Sequence, residues 1–425
     1  MSFFDEEKEV FKIDKPIRLI ELFAGVGSQA MALRDLGADF EHYRVVEFDK
    51  YAIKSYNAIH GTAFPTMDII KIQGSDLGIK DVEKFTYLMT YSFPCQDLSV
   101  AGKQKGMKKG SGTRSGLLWE VERLLDECIE LNGNLPQVLL MENVLGVIGA
   151  KNIDHFKQWQ RKLETLGYSN YCEMLNAKDY GVPQNRKRCF MISVLGDYYY
   201  EFPKPFNLEL RLKDILEDEV DEKYFLNDLD SEYAYTITTN AGNRATDNFI
   251  IDAQKTDKTI CLNPKGGRGG VEGLQPSLQD RIYDSEGIAP ACTTSYMPNV
   301  AINHIGGVAI PEATKKGWSI AKDGDGVYIN RPHQKRGVVQ NGMIQTLKTS
   351  CSDVGVATNN LRIRKLTPLE CFRLMGFDDE DFYKAEKVNS NTQLYKQAGN
   401  SIVKNVLVAI FGQMIGGKER IYAEI

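Results

Sequence analysis

Through its first half the chain alternates short apolar runs with stretches whose apolar positions fall at helical spacing. Ile17-Arg18-Leu19-Ile20-Glu21-Leu22-Phe23 reads as a buried strand, and Ala24-Gly25-Val26-Gly27-Ser28-Gln29-Ala30 opens a helix that runs to about Leu36. Val45–Asp49 predicts a second strand and Lys50–Ile59 a helix, with a third short strand leading to Asp68. Tyr87–Phe93 is a fourth strand, ended by Pro94, and positions 117, 118, 121, 124, 125, 128 and 129 form an apolar helical stripe. Gln137–Asn143 is a fifth strand, and helix and strand continue through Leu163, Tyr171–Leu175 and Cys189–Val194. Strands alternating with helices predict an α/β fold with a doubly wound, mostly parallel Rossmann-like sheet covered on both faces.

That rhythm stops at Asp197–Pro205. From there to about Asn360 short threonine-rich strand candidates are separated by glycine and asparagine, and Tyr235–Thr239, Ala291–Ser295 and Gln345–Thr349 look alike. Asn263–Gly270, which carries Arg268, suits backbone approach to phosphate and reads equally well as a plain surface loop. Helical pattern returns in Thr367-Pro368-Leu369-Glu370, a capping box with proline at the first helical position. A helix from about Ser401 to Met414 is apolar on most faces, which predicts burial against the first domain. The expected organisation is one domain from residues 1–200 with 356–425, and a smaller β-rich domain at 201–355.

Composition narrows the class. The 425 residues are 42% apolar and 26% charged, enough for a large core and two domains. The N-terminus lacks the pattern of a secretory signal, and Ile402–Ile415 is too short and too interrupted to span a bilayer, so no membrane partner is expected. Eight cysteines and five histidines are scattered with no C-x-x-C, which predicts reduced thiols in a cytoplasmic protein and no metal site. The net charge of −5 places any nucleic-acid binding on local basic surface. Gly102–Arg114 is such a place, with Lys103, Lys105, Lys108, Lys109 and Arg114 and no acid among mobile glycines.

The pair Gly25 and Gly27, then Glu47, Asp68, Cys95 and Glu142, fall at or just past the ends of five different predicted strands, the edge where open α/β sheets bind ligands. Gly25-x-Gly27-x-x-Ala30, with Glu47 twenty residues past Gly27, fits an adenosine-binding fingerprint that leaves nicotinamide cofactors and S-adenosyl-L-methionine both open. Cys95 follows Pro94 at a turn and precedes a run of cationic side chains, which predicts a nucleophile of lowered pKa.

Taken together the motifs resemble the cytosine-5 DNA methyltransferases over residues 17–197 and about 360–413. Phe23-Ala24-Gly25-Val26-Gly27, Phe93-Pro94-Cys95-Gln96, Glu142-Asn143-Val144, Gln184-Asn185-Arg186-Lys187-Arg188, Arg364–Cys371 and Gln397-Ala398-Gly399-Asn400-Ser401 occur in family order. Ser28 replaces a common glycine but still offers a helix cap, and Phe48 replaces a common tryptophan but still stacks. The resemblance implies transfer of a methyl group from S-adenosyl-L-methionine to carbon-5 of a flipped-out cytosine in a short duplex DNA site, through a covalent adduct with Cys95. It makes Glu142 the group at N3 and Arg188 the group at O2, with Arg186 in support. It assigns Phe23, Ala24, Gly25, Gly27, Glu47, Phe48, Asp68, Ile69, Pro94, Asn400 and Ser401 to the cofactor. DNA would fall to Gln96, Ser99, Lys103, Lys105, Lys108, Lys109, Arg114 and Arg268, with Thr346 and Leu347 in a target recognition domain. A monomer acting on double-stranded DNA is implied, and whether a restriction endonuclease acts separately beside it stays open. A tRNA cytosine-5 methyltransferase shares such a core, although the long middle segment favours DNA; a catalytically silent relative is opposed by the intact Cys95, Glu142 and Arg188.

Overall fold

A computed structural model of the chain describes residues 8–98, 106–206, 208–224, 282–284, 299–301, 308–313, 318–329, 334, 337–349, 353–358 and 363–415. Ser99, Lys103, Lys105, Arg268, Tyr235–Thr239 and Ala291–Ser295 lie outside the described residues. The chain divides into two compact units, Met1–Glu209 with Cys371–Ile425, and Leu210–Glu370.

The first unit is built on a six-stranded sheet. Its strands are β1 (Ile17–Leu22), β2 (Phe40–Val46), β3 (Thr86–Tyr91), β4 (Val138–Asn143), β5 (Tyr168–Asn176) and β6 (Lys187–Leu195), in the order β2-β1-β3-β4-β6-β5. The first four run parallel, and β6 pairs antiparallel with both β4 and β5. β3 and β4 are buried at every position, as expected of central parallel strands covered on both faces. The antiparallel edge departs from simple alternation because the connection from Asn176 to Lys187 has no room for a crossover helix.

Helices α1 (Ser28–Asp35), α2 (Lys50–His60), α3 (Leu118–Asn132) and α4 (Ile153–Thr165) supply the layers. Ile20 and Leu22 join the large apolar cluster that includes Leu118, Val121 and Leu125 of α3 and Phe156 and Trp159 of α4. Glu21, between them, points to the opposite face of the sheet. The predicted strand before Asp68 is absent. Residues 61–68 form an extended loop tied to the sheet by Met67 N donating to the Glu47 carbonyl at 2.9 Å, and Pro65 has no N–H for a ladder.

The C-terminal segment returns with α5 (Pro368–Arg373), α6 (Asp379–Glu386), α7 (Asn391–Asn400) and α8 (Lys404–Ile415). The capping box forms as the spacing predicts: Glu370 N donates to Thr367 Oγ1 at 3.2 Å, and Thr367 N donates to Glu370 Oε2 at 2.8 Å. Nearly every residue of α8 is buried, and the helix packs on α1. Arg34 of α1 bonds Asp381 at 2.9 Å and Asp378 at 2.8 Å, fastening α1 to the C-terminal helices. α7 is seated on α2 by Ser55 Oγ donating to Gln397 Oε1 and Gln397 Nε2 donating to the Tyr51 carbonyl.

The second unit is β-rich in its described part. Gly326–Tyr328 pairs antiparallel with Val339–Gln340 and with Val354–Ala357, and Ile363–Arg364 adds the outer strand. Ile310, Ala321, Val327, Val338 and Ala357 form its small core.

Candidate active site

The turn after β1 carries three left-handed residues in five: Phe23 at φ 60°, Gly25 at 59° and Gly27 at 86°. Phenylalanine resists that conformation, so the surroundings must enforce it. Phe23 N and Ala24 N both donate to the Val46 carbonyl, at 2.8 and 3.3 Å, and Gly25 N donates to Glu47 Oε2 at 2.9 Å. The other Glu47 oxygen accepts from Asp49 N at 2.6 Å. Burial pushes the Glu47 carboxyl up, against the pull of these backbone donors.

These residues open onto a cavity of about 650 Å³, within the usual size of a small-molecule site. Phe23, Ala24, Gly25, Glu47, Phe48, Asp68, Ile69, Pro94, Asn400 and Ser401 all line it, and all belong to the first unit. A Cβ on Gly25 would meet no atom within 4 Å, which leaves room for a ligand against the backbone. Phe48 is 77% exposed, an aromatic face left open at the cavity. Gly27 is the exception among the expected cofactor residues: it does not line the cavity. Ser28 does line it but is the first helical residue; Gly27 holds the N-cap position and no side chain caps the helix.

The same cavity is lined by the residues expected to carry the chemistry. Cys95, Glu142, Arg186 and Arg188 all line it, as do Gln96 and Arg114. Asn143 Nδ2 donates to the Phe93 carbonyl at 2.9 Å and Ser115 Oγ to the Pro94 carbonyl at 2.6 Å, which fixes the turn before the cysteine. Asp97 accepts from Arg114 N at 2.9 Å, and the Arg114 guanidinium reaches Gln96 Oε1 at 3.0 Å. Glu142 is 7% exposed and lies 3.1 Å from Arg188 Nε. Burial pushes its carboxyl up, with Arg188 and Arg186 opposing. Arg186 donates to the carbonyls of Gly399 at 3.1 Å and Ser401 at 2.8 Å, so it anchors the C-terminal segment at the cavity.

The expectation of a lowered Cys95 pKa is corrected. Burial, and then the Glu142 charge, push the thiol up, and Arg188 and Arg186 only partly offset them. The basic run is also less bare than its sequence: Lys109 Nζ bonds Glu122 of α3 at 3.0 Å and lies over the Trp119 ring, while Lys108 is exposed. Thr346 and Leu347 belong to the second unit, where Leu347 is buried.

Sequence reasoning misses Met67, Ile70, Lys396 and Gln397, which also line the cavity. Lys396, Gln397 and Asn400 share one face of α7 at helical spacing, a signal that could have found the first two from the third. Among the described residues no group of three His, Cys, Asp or Glu side chains is arranged to hold a metal.

The chain is similar to known proteins in sequence and in fold. The type II methyltransferase M.HhaI of Haemophilus parahaemolyticus is 31% identical over 396 residues, covering 92% of each chain. M2.ScrFI of Lactococcus lactis subsp. cremoris is 30% identical over 446 residues, covering 94% of this chain and 99% of its own. The orphan methyltransferase M.SPBetaI of Bacillus phage SPbeta is 29% identical, covering 94% and 97%. In fold, the chain is similar to the Entamoeba histolytica methyltransferase EhMeth, with a TM-score of 0.54 at 16% identity over 94% of this chain and 98% of that one. It is similar in the same way to the Dnmt2 methyltransferase of S. pombe, with a TM-score of 0.51 at 18% identity over 93% and 97%. The family profile of the C-5 cytosine-specific DNA methylases matches residues 17–416, and the chain belongs to that family.

Proposed function

We propose that this enzyme methylates carbon-5 of a flipped-out cytosine in a short duplex DNA site, through a covalent bond from Cys95 to carbon-6, with S-adenosyl-L-methionine as the methyl donor. The observation that carries the reading is one cavity lined both by Glu47, Phe48 and Asp68 and by Cys95, Glu142 and Arg188.

The first group fits an adenosine. Glu47 retains acceptor capacity for ribose hydroxyls, Phe48 and Ile69 offer faces to a purine ring, and Asp68 accepts from an exocyclic amine. Phe23, Ala24, Gly25, Pro94, Asn400 and Ser401 complete the cradle. When bound, S-adenosyl-L-methionine supplies an electrophilic methyl group carried on a sulfonium.

Carbon-5 of cytosine is a poor nucleophile until a thiolate adds at carbon-6 and turns the ring into an enamine. The thiol and the Glu142 carboxyl are both pushed up, so the productive arrangement is one proton shared between them. With that proton on Glu142, the thiolate no longer faces a carboxylate and the acid can donate at N3. Arg188 stabilises charge developing at O2. Once carbon-5 carries the methyl group, loss of its proton to water, departure of the thiolate and return of the N3 proton to Glu142 restore the aromatic ring.

A stacked base offers no path to a thiol, so the cytosine must leave the helix at a cost of about a few kcal/mol. Gln96 and Arg114, which line the cavity with the cysteine, and the exposed Lys108 are assigned to DNA. The unit Leu210–Glu370, with Thr346, is assigned to recognition of the target sequence.

Bisulfite sequencing of DNA from cells expressing the enzyme identifies the site. A duplex carrying 5-fluorocytosine there should then trap a protein–DNA adduct that survives denaturation, because fluorine cannot leave as a cation. Cys95→Ser should form none. A wild-type enzyme that methylates the site yet leaves no adduct would overturn the covalent route.

A further inference from the structure

Four titratable side chains are packed together behind the glycine turn, away from the large apolar cluster. Glu21 of β1 is wholly buried, and Tyr56 of α2 donates to its Oε2 at 2.5 Å. His42 Nδ1 of β2 lies 2.7 Å from the same phenol oxygen. His60, one helical turn beyond Tyr56, places Nε2 3.1 Å from the Val26 carbonyl inside the turn. Its ring sits 4.5 Å from that of Tyr56 and 4.9 Å from that of His42, centroid to centroid. Burial, aided by His42, holds His60 neutral with its pKa lowered to about 3. A carbonyl only accepts, so Nε2 carries the proton and donates to Val26.

This arrangement explains Gly27. A Cβ there would fall 2.3 Å from His60 Nε2 and 2.7 Å from Tyr56 Cε2. Gly27 does not line the cavity while Gly25 and Val26 do. The second glycine of the motif therefore makes room for a support from behind, and the first leaves room for ligand in front.

We propose that His60, seated by Tyr56, Glu21 and His42, is a positioning residue for the cofactor turn. It draws the Val26 carbonyl back and so keeps the left-handed turn in the shape that Gly25 and Val26 present to the cavity. Three braces then hold four residues: Val46 on Phe23 and Ala24, Glu47 on Gly25, and His60 on Val26. Glu47 would also touch the bound adenosine; His60 acts only through the turn. The inference rests on the reading that this cavity takes S-adenosyl-L-methionine.

The test measures calorimetric affinity of the full chain for S-adenosyl-L-methionine, and kcat at saturating cofactor on the target duplex. His60→Leu leaves a buried carbonyl without its donor and should weaken cofactor binding about tenfold, with kcat within about twofold of wild type. His60→Gln, whose amide can still donate, should recover most of the affinity. Tyr56→Phe keeps the ring against His60 but removes the hydroxyl that ties that ring to Glu21 and His42, and should weaken binding to a smaller extent with kcat again held. Wild-type affinity in both His60→Leu and Tyr56→Phe would overturn the inference, as would a loss that His60→Gln fails to rescue. If His60→Leu does not fold, the Tyr56→Phe measurement decides alone, by weakened or unchanged affinity. Failure of a folded wild-type chain to bind the cofactor would overturn the cofactor reading and this inference with it; unchanged variants with a binding wild type overturn the inference alone.

Discussion

Burial raises the Cys95 thiol, and Glu142 raises it further, so the charge on one group governs the proton on the other. Glu142→Gln should therefore bring the Cys95 pKa down, while Arg188→Leu should send it up. The pH dependence of iodoacetamide alkylation, mapped to Cys95 by mass spectrometry, reads both shifts. Turnover of Glu142→Gln should nonetheless fall, by on the order of 10²–10⁴, because the acid proposed to act at N3 is lost. Equal alkylation profiles in wild type and Glu142→Gln would remove the shared-proton argument. Cys95→Ser should bind S-adenosyl-L-methionine as wild type does and give no methyl transfer, since a hydroxyl is far less ionised near neutral pH. The identity of these residues is readable from their motifs, but their protonation is not. Lysines that follow Cys95 in sequence suggest a lowered pKa, whereas desolvation and the approach of Glu142 from a neighbouring strand exist only once the sheet has formed.

Element by element, legibility follows how local the cause is. β3, β4 and the capping box at Thr367 are written in short runs of residue types, and they form where those runs lie. The antiparallel edge depends on how β6 pairs, and the loop before Asp68 depends on Pro65 and on strands already filling the sheet; neither is local. The turn after β1 shows both sides. Gly25 and Gly27 are visible as a motif, yet the reason for Gly27 is a pair of side chains on α2. The buried pair behind that turn also predicts a pH signature. Glu21 is pushed from 4.5 up to about 8 by burial, with Tyr56 pulling the other way, so the stability it lends is full below 4.5 and drains as pH rises through about 8. His60 is lowered from 6.5 to about 3, with burial first and His42, Arg34 and Lys384 adding to it, so its contribution is full above 6.5 and drains as pH falls toward 3. The two slopes oppose each other between 4.5 and 6.5. Relative to wild type, Glu21→Gln should gain stability as pH rises toward 8, and His60→Gln should gain it as pH falls from 6.5. Urea unfolding midpoints across that range measure the difference, and curves parallel to wild type in both variants would show that neither group titrates as assigned.

For the whole molecule, the question is whether chemistry and sequence choice reside in different units. The residues proposed for cofactor and catalysis all fall in the unit Met1–Glu209 with Cys371–Ile425, while Thr346 falls in Leu210–Glu370. Phosphate contacts carry affinity without sequence information, and base contacts carry the choice. Thr346→Ala should therefore lower the preference for the cognate site by about tenfold, the loss of one good base contact of ~1–3 kcal/mol, with cofactor affinity unchanged. Lys108→Ala and Arg114→Ala should weaken cognate and scrambled duplexes alike and flatten the salt dependence by ~0.9 in slope for each phosphate contact removed. Lys109→Ala should do less, because that ammonium already bonds Glu122 and must leave it before meeting a phosphate. Binding of all four variants to cognate and scrambled duplexes over a range of salt separates the two kinds of effect. Should Lys108→Ala erase the preference while Thr346→Ala merely weakens every duplex, the assignment of reading and gripping to these two units is the wrong way round.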